Sequence, residues 1–410
     1  FFFMAIFAQN IAVVMHCEEA APAIRAASPA VLLGSWMAAR RARFQGMQNM
    51  GAIAASQLAE QVVRLGAGLA LASVFSPMGH GMGAAGAMLG TTLSELAGCI
   101  VLRVLGDSVR DGRYDAKLCS VILQLAMPLT LGACILPLSS VLENLMLAPR
   151  MALLGKTASQ ALSDYGILTG MVQSISTLPV MLTGTLSACL MPNIAAAAAR
   201  PEICRYRARQ GETLAFIFSI AMGTGLFLTA ESVLDLLYPT LQGEDLVLAA
   251  NLLKINAVSA IPHCCAIAAM GALQGLGKTK ACAAAQICCA FLKLPIAFFL
   301  LPEVGVAGYS IASLLGAMLS CIITTVTLRR TCRGTLLTFH TVFTCFCAAL
   351  LMICAILLLQ RMMGYDTLSL CFVIIIASAV YLLGCMSIFK EEKLWERSPS
   401  LRWARANREN

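Results

Sequence analysis

Charge is what this chain has least of. Only 12% of its 410 residues are Asp, Glu, Lys or Arg, while 59% are hydrophobic and the mean hydropathy is +0.81, which excludes an ordinary water-soluble domain. The short alternating segments of a transmembrane barrel are missing too. Among 18 cysteines no CxxC spacing occurs, so the thiols read as small hydrophobes rather than metal ligands or a disulfide framework. The histidines, His16, His80, His263 and His340, are scattered, and none belongs to an HExxH pattern. Residues 81–86 spell GxGxxG without a strand before them, and Gly277-Lys278-Thr279 has Ala272 where a phosphate-binding loop needs its first glycine. Dinucleotide binding and ATP hydrolysis are therefore rejected, and neither a cofactor nor a metal is expected.

What the sequence does have is length after length of apolar residues. Twelve windows are candidate spans, and all but the first, which is short, are long enough to cross about 30 Å of hydrocarbon as a helix. They lie near 1–15, 20–39, 51–75, 81–105, 118–147, 160–190, 212–237, 246–271, 279–301, 304–328, 338–360 and 367–389. The fold class expected is all-α, a polytopic membrane protein. The first window opens on Phe1 within an apolar run and has no charged n-region before it, so it reads as part of a longer chain rather than as a signal peptide.

Lysine and arginine divide unevenly between alternate loops. One set collects Arg40, Arg41, Arg43, Arg103, Arg110, Arg113, Lys117, Arg200, Arg205, Arg207, Arg209, Lys278, Lys280, Arg329, Arg330 and Arg333, and the C-terminal tail shares its side; the other set holds only Arg150, Lys156 and Arg361. By the positive-inside rule the first set and the C-terminus face the cytoplasm. The net charge of +8 is a topology signal, and no nucleic-acid partner is expected.

Two stretches repeat one another at an offset of 229 residues. FQGMQNMGAIAASQLAEQVVR (Phe44 to Arg64) aligns with LQGLGKTKACAAAQICCAFLK (Leu273 to Lys293), placing Gln45 on Gln274, Gln57 on Gln286 and Arg64 on Lys293. Upstream, Arg25 falls on Lys254. A duplicated helical lobe is the simplest cause. Gly83-Ala84-Ala85-Gly86 and Gly305-Val306-Ala307-Gly308 repeat at the shorter offset of 222, so the first copy must have a longer preceding loop. Small residues at that spacing suit close helix packing.

The repeated cations are costly at helix centres, about 2.5–3.5 kcal/mol each on insertion scales. Arg64 and Lys293 are the deep pair, about 20 Å along their helices at roughly 1.5 Å per residue. Arg25 and Lys254 lie nearer the ends, where long side chains can snorkel. Glu60, one turn before Arg64, can neutralise it. Residue 289, one turn before Lys293, is Cys, so Lys293 needs water, a partner helix or an anionic ligand. A cation-lined cavity between the two lobes is the leading expectation, with local ion pairing as its alternative. Gln57 and Gln286 either hydrogen-bond a ligand or tie helices together. Glu143 and Asn144 face either a watery passage or, the favoured reading, the outer membrane boundary. Pro128 and Pro137 are expected to interrupt one helix and Pro179 and Pro192 the next, as kinks or hinges.

The segment RARFQGMQNMGAIAASQLAEQVVR, from Arg41 to Arg64, resembles the signature of the stage V sporulation protein B branch of polysaccharide and lipid-linked oligosaccharide flippases. That branch shares a superfamily with multidrug and toxic compound extrusion (MATE) transporters. AMPLTLGACILPLSSVLENLML (Ala126 to Leu147) and STLPVMLTGTLSACLMPNIAAA (Ser176 to Ala197) are similar to the family's seventh and eighth helices. The resemblance implies fourteen helices in two pseudo-symmetric MATE-like lobes plus a C-terminal pair, with the spans here corresponding to helices three to fourteen. The first lobe is then incomplete: 1–110 is a partial N-lobe, 111–333 the C-lobe, 334–389 the C-terminal helix pair and 390–410 a cytoplasmic tail.

The activity implied is flipping of an undecaprenyl-linked, anionic saccharide precursor across the bacterial cytoplasmic membrane by alternating access. Membrane lipids and a coupling H+ or Na+ are the other implied partners, and Arg64, Lys293, Arg25 and Lys254 would attract the phosphates. A cation-coupled drug antiporter is the first alternative. It would want intramembrane carboxylates, of which Glu60 and Glu95 are the main examples. A membrane polymerase or ligase lacks the large outer loop such enzymes use, and an inactive truncated relic is the remaining possibility.

Overall fold

The computed structural model describes residues 1–14, 18–106, 116–332, 334, 337–363, 367–386 and 388. The tail at 390–410 and the loop cations Arg110, Arg113 and Arg333 lie outside the described residues. The described chain is helical, with no strand among its residues. It divides into two compact units, Phe1–Asp115 and Ala116–Asn410.

The first unit holds α1 (Phe2–Ile6), α2 (Ala8–Val14), α3 (Ala21–Gly46), α4 (Met50–Phe75) and α5 (His80–Leu105). Asn49 caps α4 by accepting from the Ala52 backbone N–H at 3.4 Å, satisfying one of the free donors of the first turn. Helix α5 packs tightly on α4. A Cβ at Gly90 would lie 2.3 Å from the Gly68 Cα, and one at Gly86 would lie 2.4 Å from the Leu71 carbonyl oxygen, so only hydrogen fits at either crossing. The outer face of α4 carries Leu58, Val62, Leu65 and Leu69, each 65 to 71% exposed. Their spacing of three and four makes one continuous apolar stripe, the surface a lipid-facing helix presents.

The second unit holds α6 (Ala116–Met151), α7 (Ala158–Gly166), α8 (Gln173–Ser176), α9 (Leu178–Ala197), α10 (Pro201–Leu237), α11 (Glu244–Gly275), α12 (Thr279–Val304), α13 (Ala307–Cys332), α14 (Phe339–Met363) and α15 (Thr367–Gly384). One part of its core gathers Leu147, Val172, Leu234, Leu252, Leu301 and Tyr309 where α6 and α10 to α13 meet the turn after α7. A separate cluster seats α14 and α15 against Ile217 of α10.

The repeat in the sequence is a repeat in the fold. At the offset of 229, the end of α3 at Gly46 falls on the end of α11 at Gly275, and both ends of α4, Met50 and Phe75, fall on those of α12, Thr279 and Val304. The shorter offset also holds in three dimensions. Gly308 of α13 packs on Leu300 of α12 as Gly86 packs on Leu71, with a Cβ at Gly308 only 2.9 Å from the Leu300 Cβ. The extra residues of the first copy form the Ser76–Met78 turn and an added opening turn of α5.

Three expectations need revision. The first window is two short helices of 5 and 7 residues rather than one span. The window 160–190 is a broken helix. Between α7 and α8 the residues Ile167–Val172 form a π-turn, and α9 begins after Thr177. Finally, Pro128 and Pro137 do not interrupt α6, which runs through both, and Pro192 lies inside α9. Pro179 stands in the first turn of α9, where its missing N–H has no partner to lose. Among the described residues nine helices are long and apolar enough to cross a membrane. Helix α3 falls outside that set because Arg25, Arg40, Arg41 and Arg43 ride on it, and α15 because it is short.

Candidate functional site

In the first unit four charged side chains from three helices meet. Arg41 of α3 lies 2.8 Å from Glu60 Oε2 through Nη2 and donates from Nε to Ser56 Oγ at 3.0 Å. Arg64, one turn along α4, bonds the other Glu60 oxygen, and its Nη2 is 3.7 Å from Glu95 Oε1 on α5. Two guanidinium groups thus face two carboxylates, and Glu60 is shared between both arginines. The Glu60 side chain is 8% exposed and that of Arg64 37%. Arg64 Nε and Glu95 Oε2 are buried without hydrogen-bond partners among the described residues.

Sequence reasoning found Glu60 and Arg64 but assigned Arg41 to a cytoplasmic loop. It stands instead within α3 and serves as the second counter-ion of Glu60. Gln57 is exposed on α4 and takes no part in these bonds, and Arg25 is exposed on α3.

In the second unit the cation equivalent to Arg64 is neutralised differently. Lys293 Nζ of α12 lies 2.8 Å from Glu143 Oε1 and 3.1 Å from Oε2. The carboxylate comes from α6, 150 residues earlier. Positions 289 and 317, which repeat Glu60 and Glu95, are Cys and Ala, so neither α12 nor α13 supplies the charge. Glu143 is 4% exposed and faces Lys293. Of the partners open to Lys293, the one observed is a neighbouring helix.

Around this pair lies a cleft of about 30 Å³, bordered by Tyr165, Gln173, Asn256, Tyr309 and Ser313. The Tyr309 hydroxyl donates to the backbone carbonyl of Glu143, and the Tyr165 and Tyr309 rings are 5.6 Å apart. The π-turn contributes Leu168 and Thr169 to the same wall; such turns often sit at functional sites because they re-aim side chains within a helix. The cleft has room for about one or two water molecules and lies well below the size of a ligand pocket. Ser310 Oγ, also at its edge, is buried with no partner among the described residues.

The remaining expected residues take separate places. Gln286, two turns before Lys293, packs against α6 at Gly132, where a Cβ would be 2.6 Å from its Oε1 and 2.9 Å from the Ala283 Cα. That is a close contact between α12 and α6. Lys254 is half-buried beside Asn251, Ile255, Val258, Ile311 and Leu314, with no ion-pair partner among the described residues. Arg64, Glu60, Gln57 and Arg25 belong to the first unit, and Lys293, Lys254 and Gln286 to the second.

Tyr165, Asn256 and Tyr309 went unnoticed in the sequence because single polar residues within apolar helices carry no spacing signal. Glu212 of α10 was missed as well. It is 1% exposed, and both carboxyl oxygens lack partners among the described residues.

Comparison with known proteins agrees with this architecture. The polysaccharide biosynthesis protein family matches residues 1–198, and the MatE family matches 136–299. Stage V sporulation protein B of Bacillus subtilis (strain 168) is 27% identical over 311 residues, covering 72% of this chain; the chain spans 58% of that relative's length. The lipid II flippase MurJ in an inward closed conformation aligns with a TM-score of 0.65 at 13% identity, over 91% of this chain and 73% of its own. A MATE structure in the straight conformation aligns at 0.62 and 14% identity, over 81% of this chain and 74% of its own.

Proposed function

We infer from this chain's membership of the superfamily of polysaccharide exporters and MATE transporters, on the branch of stage V sporulation protein B, that it handles a lipid-linked, anionic saccharide precursor. The cargo is an undecaprenyl-phosphate-type carrier bearing sugar, flipped across the bacterial cytoplasmic membrane with its lipid tail left in the bilayer. Transport proceeds by alternating access, and a proton or sodium ion supplies the coupling. The C-terminus lies in the cytoplasm.

One observation carries the reading. In a chain matched by the polysaccharide biosynthesis family, both copies of the internal repeat keep a basic residue at the same mid-helix position, Arg64 and Lys293. Cations so placed cost stability unless a function holds them there. The fold positions a polar cleft beside the second of them, where a phosphate oxygen can be recognised by charge and by hydroxyl donors. Its relatives act by moving molecules, and the chemistry needed here is binding and release, with no bond made or broken.

The test is transport of a fluorescent lipid-linked saccharide by the full chain in proteoliposomes. Replacing both cations (Arg64→Gln with Lys293→Gln) should reduce flipping at least about tenfold, the effect of losing roughly 1.4 kcal/mol or more of binding, with insertion unchanged. Unimpaired flipping would remove both residues from the mechanism. The match to the MatE family at 136–299 supports a second reading, export of cationic drugs. Resistance of a sensitised host to several such compounds, with wild-type envelope glycan, would favour it.

A further inference from the structure

Lys293 cannot hold an anionic headgroup and Glu143 at full strength together. The two carboxylate oxygens lie 2.8 and 3.1 Å from the ammonium, and a phosphate oxygen drawn to that ammonium competes for the same donors. In the first unit such competition strands no charge, since Glu60 keeps Arg41 when Arg64 turns away. Glu143 has no such reserve. Its side chain is 5% exposed, and Lys293 is its one salt-bridge partner among the described residues. An ionised carboxylate left buried and unpaired costs several kcal/mol, and such a group takes up a proton instead.

Among the described residues of the second unit, the groups that face Glu143 include no other cation. Helix α12 presents Lys293 and Cys289, α13 presents Tyr309, and α7 presents Tyr165. From α11 comes the neutral amide of Asn256, while His263 of that helix lies in the field of Lys293. The Tyr309 hydroxyl already donates to the Glu143 backbone carbonyl, and both tyrosines are neutral, so neither supplies a charge to the carboxylate.

We propose that the Lys293–Glu143 pair is an exchange site, at which binding of a diphosphate-bearing ligand to Lys293 is coupled to uptake of one proton by Glu143. Lys293 stays an ammonium throughout. The proton comes from water on the side to which the cleft is open and becomes the O–H of the Glu143 carboxyl; on release of the anion it returns to water as the salt bridge re-forms. The coupling ion is then H+, carried by the second unit. The proposal rests on the anionic-cargo reading above and names the ion that reading leaves open.

The full chain in lipid nanodiscs is titrated with farnesyl diphosphate, a soluble prenyl diphosphate, in buffers of different ionisation heat and across a range of pH. Wild-type protein should take up about one proton more per ligand bound than the Glu143→Gln variant, and its affinity should fall about tenfold per pH unit relative to that variant. The difference between the two proteins cancels the ligand's own ionisation. Infrared difference spectra should show a protonated carboxyl band on ligand addition, absent from Glu143→Gln. Tight binding with no extra proton and no such band overturns the exchange while leaving the cargo reading intact. Binding unaffected by Lys293→Gln overturns the placement of the anion at this lysine, and the exchange with it.

Discussion

Glu60 and Glu212 show opposite ways of keeping a carboxyl inside this protein. Glu60 is bracketed by Arg41 and Arg64, so its removal leaves two guanidinium groups sharing Glu95. Glu60→Gln should destabilise the folded protein by about 3 kcal/mol, the scale of breaking a buried ion pair, read as a lower midpoint of thermal unfolding in detergent. Adding Arg41→Gln should restore part of the loss; strict additivity of the two changes would show that they do not interact. Glu212 has no hydrogen-bond partner among the described residues. Glu212→Met should raise stability by about 1–3 kcal/mol, because an unpaired buried polar group gives way to an apolar one of similar length. A fall in stability would mean the carboxyl is held by contacts the structure does not record.

Which of these residues can be read from sequence depends on where their partners lie. Glu60 and Arg64 sit four apart on one helix, a spacing that announces itself. Lys293 and Glu143 are 150 residues apart, and no periodicity reaches across that distance. Arg41 was hidden for another reason: clustered with Arg40 and Arg43 it reads as a topology signal, and only the third dimension turns it toward α4.

At the scale of elements the repeat was the most legible feature, because alignment of Gln57 with Gln286 and Arg64 with Lys293 already fixes the common ends of α4 and α12. The broken helix between Ala158 and Ala197 was not. A π-turn needs no special residue, and of the prolines that drew attention only Pro179 stands at a helix start, while Pro128, Pro137 and Pro192 lie inside helices that run through them. Small residues at helix crossings give a sharper prediction. Gly90→Ala places a methyl 2.3 Å from the Gly68 backbone and should cost about 1–3 kcal/mol through overpacking. Gly66, also on α4, has nothing within 4 Å of its Cβ position, so Gly66→Ala should be neutral or up to about 1 kcal/mol stabilising through helix propensity. Equal effects at the two sites, measured by thermal unfolding, would contradict the close crossing of α4 and α5.

For the whole molecule, composition alone pointed to a multi-pass helical membrane protein, and the loop cations give the orientation proposed above. A green fluorescent protein fused after residue 410 should fluoresce, and an alkaline phosphatase fused there should be inactive, if the C-terminus faces the cytoplasm. The reverse pattern would invert the topology.

The unequal pairing of the two repeats also bears on how the chain enters the bilayer during synthesis. Helix α4 brings its arginine and its glutamate together and can leave the translocon already neutralised. Helix α12 emerges with a bare lysine, whose neutralising glutamate left the ribosome 150 residues earlier on α6. Its insertion therefore depends on a helix that is already waiting in the lipid, and a ribosome that stalled between the two would leave Glu143 without its cation.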